Sequence, residues 1–206
     1  MKRILFLSLF LAVSLSSAFS QNTLSSIRQR YALMKEYIAS HQGDNQYDGA
    51  DWGNWYYLKV RQWLPATAGH VEDVYMYYGE GETDEGEVYA PHYLKFLTTS
   101  FNNAARKYYQ EYLYDADGSI AFIYAYDPMT SLDGDDAEEE YELRFYFDKG
   151  KLLRAIIKRK AAGDESFREV FAGKALPQAY SEELEMLQAS ARKYHQLFTD
   201  IDGKVY

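Results

Sequence analysis

Arg144-Phe145-Tyr146-Phe147-Asp148-Lys149-Gly150-Lys151-Leu152-Leu153-Arg154 is the stretch on which the fold turns. Aromatic and aliphatic side chains on either side of Asp148-Lys149-Gly150-Lys151 suit a pleated surface. The glycine between them can take the positive φ that a tight hairpin needs. The spacing predicts two antiparallel strands, near 140–148 and 151–159. The same design occurs about thirty residues earlier, where Glu111-Tyr112-Leu113-Tyr114-Asp115 enters the turn Asp115-Ala116-Asp117-Gly118 and Gly118-Ser119-Ile120 leaves it. Two copies fall short of a repeat architecture, so both hairpins belong to one sheet.

Outward from these hairpins, strands are expected near 56–64, 71–78, 93–100, 106–114 and 119–127. Pro65 to Gly69 turns the first pair, and short connections make neighbours antiparallel. Two acidic loops, 80–87 and 131–139, interrupt the meander. An amphipathic helix stands at each end. Leu24, Ile27, Tyr31, Met34 and Ile38 recur at steps of three and four, with Asn22 or Thr23 as cap and a polar stretch from His41 to Gly53 ending the helix. Leu184, Leu187, Ala191, Tyr194 and Phe198 repeat the pattern, with Ser181 as N-cap and Glu182 and Glu183 suiting the positive end of the dipole. The fold class is α+β: an antiparallel meander of about six to seven strands with an N-terminal and a C-terminal helix packed on it.

The first residues carry a secretory layout. Lys2 and Arg3 precede an apolar run from Ile4 to Val13 broken only by Ser8, and Ala18 and Ser20 are small enough for cleavage before Gln21. The run is about half of what a membrane span needs. Residues 1–20 are therefore expected to be a cleaved signal peptide and 21–206 a single domain of 186 residues, exported to the periplasm or the cell exterior. The chain has no cysteine, so neither a lipid anchor of the lipoprotein kind nor a disulfide is expected. Removing Lys2 and Arg3 with the signal takes the formal charge from −9 to −11. A phosphate backbone is repelled by such a field, so nucleic acid is not an expected partner, and membrane contact is peripheral at most.

Three features together carry a resemblance: Ile27-Arg28 with Tyr31; Glu111 to Asp115 with Phe122 to Tyr124; and Arg144-Phe145-Tyr146-Phe147 followed by Gly150-Lys151-Leu152-Leu153-Arg154. The chain resembles a loose group of uncharacterised exported bacterial proteins with paired tyrosine-rich hairpins. That resemblance implies export and a sheet, with no activity to transfer. The Phe145–Leu152 hairpin is also similar to the repeated "YY-x-x-G-K-L" hairpins of antitoxin or wall-associated modules.

Signatures of catalysis are missing from the sequence. His41, His70, His92 and His195 lie in no nucleophile context, and there is no Gly-x-Ser-x-Gly elbow and no His-Glu-x-x-His. No cofactor is expected, with calcium the one weak candidate. Asp115 and Asp117, Asp133, Asp135 and Asp136, and Asp200 and Asp202 offer oxygen ligands beside glycines, yet none completes the twelve-residue loop, and Asp-x-Asp-Gly also makes plain turns. A carboxylate pair for glycoside hydrolysis cannot be picked from 31 acidic residues by spacing.

The 21 tyrosines are the most distinctive feature. Alternation puts Tyr108, Tyr112 and Tyr114 on one side of their strand with Tyr109 opposite, and Tyr124 and Tyr126 share a side of the next. With Tyr146 they form a candidate aromatic platform for a glycan or extended peptide, against which stands ordinary cross-strand packing. Trp52, Trp55 and Trp63 surround the first strand, as ligand anchors or as the closure of a core edge. The expected function is a non-catalytic binding or structural module of the cell envelope, with a glycan or an envelope protein as partner. The competing expectation is an extracytoplasmic glycan hydrolase using carboxylates between sheet and helix.

Overall fold

The structure is a computed structural model and describes residues 23–40, 54–64, 68–83, 89–103, 106–128 and 139–205. The expected signal peptide, His41, Trp52 and the aspartates 133, 135 and 136 lie outside the described residues. The chain divides into two compact units, Met1–Asn45 and Gln46–Tyr206.

In the first unit, helix α1 spans residues 23–40. Its expected stripe is its less exposed side, with Ile27 and Ile38 buried, while Ser25, Arg28 and Glu36 are exposed. The Ser40 hydroxyl donates to the Tyr37 carbonyl at 2.8 Å, which occupies one of the acceptors a helix end leaves over.

The second unit is an eight-stranded antiparallel sheet whose order follows the chain throughout: β1 (Trp55–Leu64), β2 (Ala68–Glu80), β3 (His92–Asn103), β4 (Arg106–Tyr114), β5 (Ile120–Asp127), β6 (Glu139–Asp148), β7 (Lys151–Ala161) and β8 (Arg168–Gly173). The expectation of six to seven strands missed β8. That strand is six residues long and mostly exposed, and only Val170 and Phe171 in it are strand-favouring, so it shows no strong alternation. Only Phe171 from this strand packs against the core, opposite Ile157.

Both decisive hairpins form. Lys149 at φ 47° and Gly150 at φ 78° give the paired positive φ values of a two-residue hairpin joining Asp148 and Lys151. Gly118 at φ 80° closes the other, with its N–H donating to the Asp115 carbonyl at 2.9 Å. The likeness of the two hairpins extends to their irregularities. Leu113/Tyr114 and Tyr146/Phe147 each meet a register shift one step before the turn, with Ala121 and Leu153 as the extra residues. Such bulges raise local twist and hold Tyr114 opposite Ile120 and Phe147 opposite Leu152.

Helix α2 (Ser181–Val205) lies across one face of the sheet. Ser181 is not its N-cap as expected: it already has helical angles, and a 3₁₀ turn, Gln178–Tyr180, leads into the helix from Pro177. Proline fits such a start because its φ is fixed and it has no N–H to satisfy. The apolar stripe of α2 meets the sheet as its period requires. Leu187, Ala191 and Phe198 are buried with Val74, Met76, Leu94, Leu97, Ile123, Leu143, Phe145 and Ile157. Phe198 touches Tyr56 and Tyr78 near the β1 side, whereas Tyr180, just before the helix, meets Tyr141 of β6. The helix therefore runs obliquely from β6 back to β1. Each large apolar side chain buried this way contributes about 1.5–3 kcal/mol.

Candidate functional site

The six platform tyrosines divide between the two faces of the sheet. Register places Tyr108, Tyr112 and Tyr114 on the face that carries α2, as alternation requires. Tyr112 and Tyr114 are buried there: the Tyr114 hydroxyl donates to the Ala191 carbonyl at 2.8 Å, and the Tyr112 ring lies 5.7 Å from that of Tyr194. Burial drives both hydroxyls well above the ordinary tyrosine range, so they stay protonated donors. Tyr108 stacks on Phe101 across strands, with centroids 5.0 Å apart and planes within 3°.

Tyr124, Tyr126 and Tyr146 occupy the opposite face. Tyr146 is buried and packs on Phe122 at 4.8 Å. Tyr126 donates to Glu140 at 3.0 Å, and the Arg144 guanidinium sits 5.6 Å from the Tyr124 ring centre. Burial first, then the carboxylates of Glu142 and Glu111, push the Tyr124 hydroxyl up to about 12. Three of the six, Tyr112, Tyr114 and Tyr146, are thus core side chains, and the remaining three do not share a surface.

Two acids that sequence spacing could not select come together at the start of α2. Asp127 ends β5 on the helix face, opposite Tyr141, whose ring touches Tyr180. Glu183 follows in the first turn of the helix. The Asp127 side chain is 8% exposed and its Oδ1 is buried without a hydrogen-bond partner. Burial pushes the Asp127 carboxyl up to about 6 against the pull of Arg106. Burial, and then the charge of Asp127, push Glu183 up to about 7. Such a pair holds a proton near neutral pH.

The described histidines serve packing and tethering. His92 Nδ1 lies 2.8 Å from Asp202 Oδ1, which also accepts from the Tyr56 hydroxyl at 2.9 Å, so one carboxylate ties the end of α2 to β1 and β3. His70 meets the Asn102 carbonyl at 3.0 Å, and His195 packs beside Tyr114 over Gly118. The aspartates considered for calcium are engaged elsewhere: Asp117 accepts from Ser119 N–H at 2.9 Å, and Asp200 from Gln196 at 2.9 Å. Among the described residues no three His, Cys, Asp or Glu side chains converge so as to hold a metal ion. Among them, too, no helix is long and apolar enough to cross a membrane.

The exposed aromatic groups gather instead on β1. Trp55, Tyr57, Lys59, Arg61 and Trp63 alternate along one side of this terminal strand, about 7 Å apart, on the face away from α2. Trp63 is 87% exposed, its indole lying across Gly69, where an added Cβ would meet the ring at 3.2 Å. Tyr57 packs on Tyr75 at 4.7 Å, and Trp55 touches the same ring at 5.9 Å. Asp73 accepts from the Tyr57 hydroxyl and pairs with Lys59 at 3.2 Å; the Tyr57 bond first, then Lys59, hold its carboxyl below the ordinary range. The row is thus braced from β2 while its rings and cations face water. Comparison with family models, curated proteins and solved structures returns no match for this chain.

Proposed function

We propose that the chain is an exported, non-catalytic binding module of the cell envelope, and that the β1 row takes an extended anionic glycan. One observation carries the reading: three exposed aromatic side chains share a strand side with Lys59 and Arg61, on a chain whose formal charge is −9. Rings of this kind supply contact area at low entropic cost, and Arg61, beside a Lys59 whose charge Asp73 counters, attracts acidic groups that the rest of the surface repels. The layout of Lys2 to Ser20 supports export. The test is a tryptophan-fluorescence titration with acidic and neutral oligosaccharides. Acidic chains should bind, and Trp63→Ala and Arg61→Ala should each weaken them about tenfold, or roughly 1.4 kcal/mol. Equal affinity for neutral chains, or indifference to both substitutions, refutes the reading.

A second reading, a glycan-directed hydrolase, draws on the Asp127–Glu183 pair. A carboxyl that stays protonated near neutral pH beside a second acid meets one requirement of glycosidase acid catalysis. Release of reducing ends from envelope polysaccharide, abolished by both Asp127→Asn and Glu183→Gln, is its expected result; release that survives both substitutions removes the pair from consideration.

A further inference from the structure

The two edges of the sheet are built differently. β8 is six residues long and carries an extra residue, Val170, between its pairings with β7. Short, bulged strands are a common way of blunting an edge. β1 is ten residues long, pairs with β2 at every position from Trp55 to Leu64 without a register shift, and contains no proline. Its outer edge stands at the end of the strand order. Val60 on that strand is 44% exposed, and Trp55, Tyr57, Lys59, Arg61 and Trp63 are exposed with it. A long, regular edge is a template for another strand.

The side chains of β1 specify which strand fits. In an antiparallel pair, directly opposed residues share a face. Centring two copies of β1 on Leu58 sets Leu58 against itself and Tyr56 against the partner's Val60 on the face of α2. On the other face it sets Tyr57 against the partner's Lys59 and Trp55 against the partner's Arg61. Every contact is then apolar on apolar or cation on ring, and both kinds are favourable across strands. Neighbouring centres lose this match. Centring on Lys59 opposes two ammonium groups, and centring on Val60 opposes Lys59 to Arg61. Centring on Tyr57 shortens the paired stretch and leaves Arg61 beyond it. The charges that would forbid pairing in other registers are satisfied in this one.

We infer that β1 is a self-recognition edge: two copies of the chain join antiparallel through β1, centred on Leu58, so that one sheet runs through both. The inference draws on the same Trp55, Tyr57, Lys59 and Arg61 side chains as the glycan reading, but its test needs no ligand, so either can fail without the other.

The absence of cysteine makes the test direct. Sedimentation velocity of the purified protein over a concentration series should show a reversible dimer, and Val60→Glu, a change at a position open to water in the single copy, should raise its dissociation constant by on the order of tenfold or more. Single cysteines placed by Tyr57→Cys, Leu58→Cys and Lys59→Cys then report the register. Mild oxidation should link Leu58→Cys into a disulfide dimer and leave the other two largely monomeric, because only the residue on the two-fold axis meets its own copy within disulfide reach. A protein that stays monomeric throughout the series overturns the inference, as does a dimer indifferent to Val60→Glu or one linked through position 57 or 59.

Discussion

Replacing Asp127 with asparagine should stabilise the protein in a pH-dependent way. Asp127 titrates at about 6 in the folded chain against an ordinary 3.8, because burial penalises its charge more than Arg106 relieves it. The folded state thus holds this proton more tightly than the unfolded one. Protonation favours folding, and that contribution is full below pH 4 and is lost as pH rises through 6. The difference of about two pH units corresponds to about 3 kcal/mol, an upper figure because Arg106 and local relaxation absorb part of it. Asparagine keeps the shape and carries no charge at any pH. Urea unfolding of both proteins from pH 4 to 8 should give equal stabilities within about 0.5 kcal/mol at pH 4, and a gain of roughly 1–3 kcal/mol for Asp127→Asn at pH 8. Subtracting the two curves cancels the titrations they share apart from that of Glu183, which the charge of Asp127 helps to push up. A difference that does not grow with pH, or a variant weaker than the parent at pH 8, refutes a buried and strained carboxylate. The result also bears on the hydrolase reading, since a buried carboxyl held above its ordinary range is what acid catalysis near neutral pH would need.

Three further outcomes are expected. Gly118→Ala should destabilise by on the order of 1–3 kcal/mol, because its φ is 80° and the new Cβ would lie 2.5 Å from His195 Nε2. Gly150→Ala, with φ 78° and open space around it, should cost only about 1 kcal/mol, so thermal melts of the two variants separate clash from backbone strain. Tyr114→Phe removes the donor to the Ala191 carbonyl and should cost about 1 kcal/mol in urea unfolding without changing the slope. Asp202→Ala deprives Tyr56 and His92 of their shared acceptor, so hydrogen exchange should quicken in the last turns of α2, while Asp200→Ala should leave those amides unchanged.

Local chemistry made much of the fold legible. Asp148-Lys149-Gly150-Lys151 and Asp115 to Gly118 marked their turns because positive φ favours glycine, and the 3.6-residue spacing of Leu184 to Phe198 marked the face that α2 buries. β8 escaped because an exposed edge strand imposes little pattern on its residues. Alternation revealed that Tyr108, Tyr112 and Tyr114 share a side, yet it could not tell which side the helix covers. Tyrosine suits either environment, since its ring accepts burial and its hydroxyl accepts water. Asp127 and Glu183 carry no local mark of their meeting; they are joined only by the path of α2 over β5 and β6. The β1 row was half visible in Trp55 and Trp63, and it became a surface once Tyr57, Lys59 and Arg61 were placed beside them.

The strictly sequential strand order also has a kinetic consequence. Every pairing closes a short stretch of chain, so the sheet can zip from one hairpin to the next with little entropy lost at each step. The helix that shields Tyr112, Tyr114 and Phe145 is made last and returns across the sheet as far as β1. Until residues near Phe198 and Asp202 arrive, the growing sheet shows water an unshielded aromatic face. A chain of this layout completes its core only when its final turns are released.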